Sequence, residues 1–557
     1  MTLASLVERG PRSRSGSGLK LKPLSHELLE SRVRALQEQC KRDKSRWTQK
    51  YGKRNLAMAR TYEGSKARLR DMVRRTILGE ELIVSAIGGS VTNGHQVDAS
   101  ETWINKLTDW FNTLVQASEN GWKGINGAVP ATGSDYFSFC HALHIPTSIS
   151  NLIIIELSVN DEFLPEHTEN MENLLRGILE SPNRPAVILV QAMALSGRSM
   201  AGGGDVHMPV GVYYDVPIIT QRTPLAAHFM KNPDLVHPYY TINWWQDPDT
   251  RHINARGHQD LANLVASLVQ DTACELHFKT QPSVPLHPTT EFYGQPFEIQ
   301  EQRELVAEDD EFWKNQPKDV KPWGPFQPAK HAEGESGRLW EGVWPGEWQH
   351  GEVPRLRFLQ HWDEGTTNVS LEPQCFSTRS ALYPLTPTTN SGWSTWSHPD
   401  HPQKVYLKAD EPGSKLTFDI ETRLGTIKLY SLRSKTFGLG SIDCWVDDRE
   451  EDKVRADGWW DHGDLNIGRF TTVATGLPPG MHTVTCVLSS ETLDPDGGTE
   501  FRLISLMRRV PTKARCRGPK ADPSISFCTC LVQPLMCRKW RAISFTTLCS
   551  RAGGKCE

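Results

Sequence analysis

No apolar run in the chain approaches the roughly 18–20 residues needed to span a bilayer; the strongest, residues 151–159 and 186–195, have the length of buried strands. Residues 1–19 hold Arg9, Arg12 and Arg14 among serines and glycines but no apolar block, so no secretory signal is expected there. An excess of one charge is missing too. The 557 residues carry a net charge of −4, with 38% hydrophobic and 23% charged residues, which is ordinary globular material and not the composition of a nucleic-acid binder. Neither a nucleic-acid partner nor a membrane span is expected.

A regular cysteine framework is also lacking. Of twelve cysteines, Cys40, Cys140, Cys274, Cys375, Cys444 and Cys486 are scattered, whereas the other six crowd the last 42 residues, from Cys516 on. The scattered set does not read as a small disulfide scaffold. Cys444 and Cys486 fall in strand-like segments, where a disulfide and two buried thiols are both open readings. In the tail, Cys528-Thr529-Cys530 lacks the two-residue spacer of common zinc knuckles, so disorder is expected and metal binding is not.

At a prior of roughly 150 residues per domain the chain should form two to four units. Residues 1–77 read as a basic helical region with a disordered start, its sparse apolar residues (Leu28, Leu29, Val33, Leu36) at helical spacing and its charge run a solvated face. Residues 78–280 alternate apolar strand runs (82–87, 124–129, 152–157, 186–192) with amphipathic helices (103–115, 169–180, and 254–277 with Asn254 as its N-cap). That alternation means a parallel sheet covered on both faces. Residues 196–211, which include Gly202-Gly203-Gly204, break the periodicity and read as a mobile loop near the rim of a site. A Pro- and Trp-rich linker follows over 281–350. Over 351–510, short strand candidates separated by turns such as Pro478-Pro479-Gly480 are the pattern of a β-sandwich, and 511–557 is expected to be a disordered, basic, Cys-rich tail.

Chemistry enters with Asp249-Thr250-Arg251-His252, an acid three residues before a histidine at the threshold of a long helix. A serine hydroxyl is a poor nucleophile near neutral pH and needs an imidazole base, which in turn needs an orienting carboxylate. Gly88-Gly89-Ser90 supplies the serine at the end of a strand, where open α/β sheets bind ligands. Between them lie residues 126–133 (Asn-Gly-Ala-Val-Pro-Ala-Thr-Gly) and 156–161 (Glu-Leu-Ser-Val-Asn-Asp). Any one of these blocks alone is more often a turn or a helix cap. The four in this order, over residues 82–269, resemble the blocks of the SGNH (GDSL-like) hydrolases, most of all uncharacterised fungal members associated with capsule or cell-wall polysaccharide.

The resemblance implies a three-layer, flavodoxin-like α/β domain and a catalytic triad of Ser90, His252 and Asp249. It also implies an oxyanion hole built from the Ser90 N–H, a backbone N–H of the 126–133 turn, at Ala131 or Gly133, and the Asn160 amide. No metal or cofactor is required. Two positions depart from the family: Gly89 replaces the acid before the serine, and Ala131 stands where the oxyanion glycine is expected, which is harmless only if the turn does not need positive φ. His95 is near enough to Ser90 to line the pocket, His258 reads as helix packing rather than a second base, and Asp161 as a cap. Trp393, Trp396, Trp445, Trp459 and Trp460 are either a sugar platform or sandwich core.

The expected activity is ester hydrolysis through a seryl intermediate, on an acylated polysaccharide or small ester, an O-acetyl glycan ester being favoured. The alternatives are a glycan-binding or scaffold protein with a degenerate site, and an O-acyltransferase. Read literally the chain stays in the cytosol, whereas a glycan esterase belongs in the secretory route; an incomplete N-terminus reconciles the two. Asn368-Val369-Ser370 is a candidate glycosylation acceptor.

Overall fold

The computed structural model describes residues 26–275, 353–354, 357–359 and 371–511, apart from short gaps at 78–79, 81, 115–120, 197–199, 244, 400, 423–424 and 462–465. The linker, the candidate glycosylation acceptor and the tail lie outside the described residues. The first domain is built on six strands: β1 (Arg60–Tyr62), β2 (Ile83–Gly88), β3 (Lys123–Asn126), β4 (Leu152–Glu156), β5 (Ala186–Gln191) and β6 (Ile218–Thr220), in the order β1-β6-β5-β4-β2-β3. Strands β2 to β6 run parallel, and β1 closes one edge antiparallel to β6.

Side-chain alternation explains the layers. In β4, Leu152 and Ile154 face one core while Ile153 and Ile155 face the other, and β5 repeats this with Ala186, Ile188 and Val190 against Val187 and Leu189. Strands buried on both faces need apolar residues at every position, which is why these segments read as continuous runs. The first face is covered by the helices His26–Tyr51, Ala67–Ile77, Trp103–Phe111 and Ala255–Glu275, the second by Ser134–Cys140, Pro165–Leu179 and Gly203–Tyr213. Asn254 caps the helix Ala255–Glu275, its Oδ1 accepting the Arg256 N–H at 3.0 Å. A small hairpin of β7 (Tyr240–Ile242) and β8 (Pro248–Ile253) precedes that helix.

The helix Gly203–Tyr213 corrects the reading of 196–211 as a loop. Its glycines serve close packing: a Cβ on Gly203 would lie 2.5 Å from the Asp161 Cβ, and one on Gly204 3.0 Å from the Gln191 amide. Periodicity failed as a guide because the backbone, not an apolar stripe, is what this helix packs.

The second domain is a β-sandwich of antiparallel strands: β9 (Leu371–Ser377), β10 (Thr389–Ser391), β11 (Ser394–His398), β12 (His401–Ala409), β13 (Lys415–Thr422), β14 (Ile427–Arg433), β15 (Ser441–Val446), β16 (Val454–Asp457), β17 (Ile467–Ala474), β18 (Gly480–Leu488) and β19 (Phe501–Pro511). One sheet has the order β10-β13-β18-β15-β16 and the other β11-β12-β19-β14-β17, with β9 sharing the β12 edge of β19. Leu416, Phe418 and Val484 of the first sheet meet Leu429, Leu503 and Phe501 of the second in a common interior. Trp393 belongs to that core beside Phe501, and Trp396 lies beneath Arg502, so these two do not form an exposed platform.

The two domains share a core. The helix Ser134–Cys140, buried at every residue, packs Tyr136 against Tyr430 with ring centroids 5.1 Å apart, and Cys375, Ile504 and Met507 join Phe137, Ile155 and Leu174 in one apolar cluster. All six scattered cysteines are paired: Cys40–Cys274 ties the first helix to the closing helix, Cys140–Cys375 crosses the domain boundary, and Cys444–Cys486 lies inside the sandwich. Cys140 and Cys375 are 235 residues apart in sequence, which is why spacing alone could not pair them. Because a cross-link closing a loop this long restricts the unfolded chain strongly, replacing both cysteines by alanine should cost about 3–5 kcal/mol. Urea unfolding of the double variant checks this, and an unchanged midpoint would show that the shared apolar core alone sets the stability of the joint.

Candidate functional site

Ser90 opens a four-residue helix (Ser90–Asn93) at the carboxyl end of β2, so its own N–H lies outside the helical hydrogen bonds. Three hydrogen bonds fix that turn. Thr92 Oγ1 donates to Glu156 Oε2 at 3.1 Å and accepts from Trp103 Nε1 at 3.3 Å, and Asn126 Nδ2 donates to the Thr92 carbonyl at 2.9 Å. The ends of β2, β3 and β4 are thereby bound to one another beneath the serine.

The histidine and its acid come from β8. Facing β7, Tyr240 pairs with Ile253 but the next residue, Thr241, pairs with Asp249, so residues 250–252 bulge out of the ladder. In a regular strand, residues three apart point to opposite faces. Here the bulge turns both side chains the same way, and His252 Nδ1 meets Asp249 Oδ2 at 2.6 Å. The other ring nitrogen, Nε2, lies 2.7 Å from Ser90 Oγ. Ser90, His252 and Asp249 thus form one hydrogen-bonded line across 162 residues of sequence. Partial burial opposes ionisation of Asp249, but the hydrogen bond and charge of His252 hold its carboxyl below the ordinary value. His95 packs against the His252 ring, tilted by 38° with centroids 4.2 Å apart.

His95, Asp249 and His252 offer nitrogen and oxygen atoms within 4.8 Å of one another, the spacing of a metal site. The Asp249–His252 hydrogen bond already engages two of these groups with each other. His258 stands apart: it is buried, its Nδ1 accepts the Trp103 N–H at 3.1 Å, and burial, then the His252 charge, lower its pKa to about 4.

Asn160 lies over Gly89. A Cβ on Gly89 would fall 1.8 Å from Asn160 Oδ1 and 2.6 Å from its Cγ, so this position tolerates no side chain while the amide sits there. Glycine at position 89 is thus a packing requirement of the site. The Asn160 Oδ1 is itself buried with no hydrogen-bond partner. Gly133 abuts the neighbouring residue: a Cβ there would lie 2.0 Å from Asp161 Oδ1. Ala131 is the outlier. It has φ 59°, a left-handed conformation that costs a non-glycine residue roughly 1 kcal/mol, and its carbonyl accepts the Gly468 N–H of β17 at 3.2 Å. The turn does therefore use positive φ at Ala131, and contact with the second domain holds it.

Two groups of residues at the site carried no local signal in the sequence. Asp161 is no simple cap: it accepts from Ser134 N at 2.9 Å, from His207 Nε2 at 2.7 Å, and lies 3.3 Å from His167 Nδ1. Complete burial works against its charge, but these partners keep it well below the usual carboxylate range. The second is Arg469 of β17, which reaches Glu162 at 3.0 Å and Asp135 at 3.8 Å, the carboxylates that follow the Asn160 and Gly133 blocks. Burial raises the pKa of Asp135, and the Arg469 charge opposes that shift. Only the fold brings these groups to the site, since Arg469 is 307 residues from Glu162.

Replacing Arg469 by methionine should cost on the order of 3 kcal/mol, because a buried carboxylate loses the cation facing it, and should loosen both turns. Urea unfolding checks the first effect and faster amide hydrogen exchange in the 126–133 and 156–161 turns the second, with Arg469→Lys restoring part of each. Glu156 generates a second prediction. Burial lifts its pKa to about 7, against the hydrogen bonds from Thr92 and Ser158. With a folded pKa above the unfolded one, its stabilising contribution is complete below about pH 4.5 and is lost as pH rises through 7. Glu156→Gln removes this dependence, so the variant should gain on the order of 3 kcal/mol over the parent between pH 4.5 and pH 8. Parallel stability curves in urea would contradict the assignment.

No protein-family model and no curated protein matches the chain. Among solved structures, a two-domain esterase active on acetylated mannans, co-crystallised with mannopentaose, aligns with a TM-score of 0.55 at 17% identity over 82% of this chain and 98% of its own. A second structure of a two-domain esterase active on acetylated mannans aligns with a TM-score of 0.54 at 17% identity, over 82% and 99%. At this identity the likeness is one of fold, and it extends over both domains.

Proposed function

We propose that the protein is a serine ester hydrolase that removes O-acyl groups, acetyl above all, from a glycan. The observation that carries this reading is the line from Asp249 through His252 to Ser90, with hydrogen bonds of 2.6 and 2.7 Å. Ser90 Oγ attacks the acyl carbonyl while His252 Nε2 takes its proton. Asp249 holds the imidazole in the tautomer that accepts at Nε2 and stabilises the imidazolium. The imidazolium then protonates the departing sugar oxygen, which leaves as a hydroxyl and an acyl-serine remains. Water, deprotonated by His252, attacks that ester, and the imidazolium returns the proton to Ser90 Oγ as its bond to the acyl carbon breaks, which releases the acid and restores the serine. Oxyanion charge in both steps falls to the Ser90 N–H, a backbone N–H of the turn at Ala131 and Gly133, and the Asn160 amide.

The glycan part of the reading is supported by the β-sandwich joined rigidly to the hydrolase domain and by the fold shared with an esterase active on acetylated mannans. Three disulfides fit an oxidising compartment, where such a substrate is met.

A fluorophosphonate probe should label the protein, and Ser90→Ala should abolish both labelling and acetate release from an acetylated oligosaccharide. Folded wild-type protein that resists the probe would instead favour a glycan-binding protein with a degenerate site. Asn160→Asp, which puts an acceptor where the oxyanion needs a donor, should lower kcat about 100- to 1000-fold with little change in KM. A change confined to KM would move Asn160 into substrate binding.

A further inference from the structure

Away from the triad, a cavity of about 210 Å³ lies between the domains, walled by Pro130 and Ala131 on one side and by the outer face of the β12-β19-β14 sheet on the other. Its charged lining is one-sided. Arg379, Lys404 and Arg502 line it, and none of the described residues around it is an aspartate or glutamate. Arg502 is only 8% exposed, lies 4.5 Å from the Trp396 ring and 4.6 Å from the Phe437 ring, and donates through Nε to Glu500, so its guanidinium is fixed. Arg379 lies 5.3 Å over the Tyr406 ring, and its Nε is buried with no hydrogen-bond partner. Lys404 faces the Arg379 charge: burial, then that charge, pull its ammonium below its ordinary pKa.

Partly desolvated like charges repel, and no carboxylate among the described lining residues answers Arg379 and Lys404. An anion in the cavity would offset that repulsion, and Arg guanidinium groups suit planar or tetrahedral oxyanions because they present paired donors. The rings of Tyr406 and Phe437 back the guanidinium groups of Arg379 and Arg502, and Asn466 adds a hydrogen-bonding group of the kind a pyranose hydroxyl uses. The cavity has room for one such ring.

We infer that this interdomain cavity is a subsite for an anionic pyranose, a sugar carrying a carboxylate or a sulfate. The consequence for function rests on the glycan esterase reading above. Ala131 forms one wall, and two residues earlier the Val129 N–H bonds the Gly88 carbonyl at 2.9 Å, next to Gly89 and Ser90. An acidic residue of a glycan held in the cavity would therefore lie against the turn that borders the nucleophile, and would select acidic chains for deacylation.

The test is equilibrium binding to the full chain, followed by calorimetry or ligand-observed NMR, with methyl β-D-glucuronide, glucose 6-sulfate, methyl β-D-glucoside and inorganic phosphate. At least one anionic sugar should bind tenfold or more tightly than the neutral glucoside, and which one does identifies the oxyanion. Lys404→Gln and Arg379→Gln should each reduce that preference at least tenfold, while hydrolysis of p-nitrophenyl acetate and the melting temperature stay as in the parent. Equal binding of neutral and anionic sugars would overturn the inference, as would phosphate competing as well as the sugars, or a preference that survives both substitutions. Because the small ester reports the triad separately, failure of the subsite with ester turnover intact leaves the esterase reading standing.

Discussion

The buried carboxylate of Asp161 holds the site together. It accepts from the N–H of Ser134, behind the Gly133 turn, and from His207, on a helix that follows β5, and it stands next to Asn160. A fully buried charge is tolerated only when its lone pairs are filled, and here three partners surround it. Its approach dictates glycine at two distant places: side chains at 133 or 203 would overlap it. The shape of the turn, the position of Asn160 and the close packing of the Gly203–Tyr213 helix all follow from satisfying one acid.

Around that acid the second domain is a structural part of the site and not an appendage. Arg469 reaches Glu162 and Asp135 from β17, the Gly468 N–H holds the carbonyl of the strained Ala131, and Tyr430 packs against Tyr136. A turn that spends roughly 1 kcal/mol on a left-handed alanine persists only when its surroundings over-determine it. The sandwich supplies those surroundings. Its shared apolar cluster with the helix Ser134–Cys140, and the Cys140–Cys375 bond, keep the two domains in one register.

The hydrogen-bonded line of Asp249, His252 and Ser90 depends on a different irregularity. Asp249 and His252 meet because three residues bulge out of the β7–β8 ladder, and Ser90 meets His252 because β2 ends where that bulge projects. Rigid strand ends and a tethered helix fix both partners. Preorganisation of this kind is what a serine needs to react at neutral pH, since the cost of aligning base and nucleophile is met in folding.

Much was legible in the residues themselves. Continuous apolar runs at 82–87, 152–157 and 186–192 encode strands buried on two faces, and alternating short runs beyond residue 400 encode a sandwich, because burial on one or both faces leaves a direct mark on local composition. The four blocks named Ser90, Asn160, Asp249 and His252, residues that the fold then brings to one end of the sheet. Long-range partners left no such mark. The helix at 203–213 was hidden because its glycines record contact with Asp161 and Gln191, not flexibility. Arg469, His167 and His207 are ordinary polar residues until packing removes them from water and gives them a carboxylate to face. Cysteine spacing could not join Cys140 to Cys375, since a disulfide depends on distance in space and not along the chain. Local pattern determined most of the strands and helices and which residues to look for at the site; tertiary structure alone decided which buried charges are paired, because pairing is settled by the geometry of segments hundreds of residues apart.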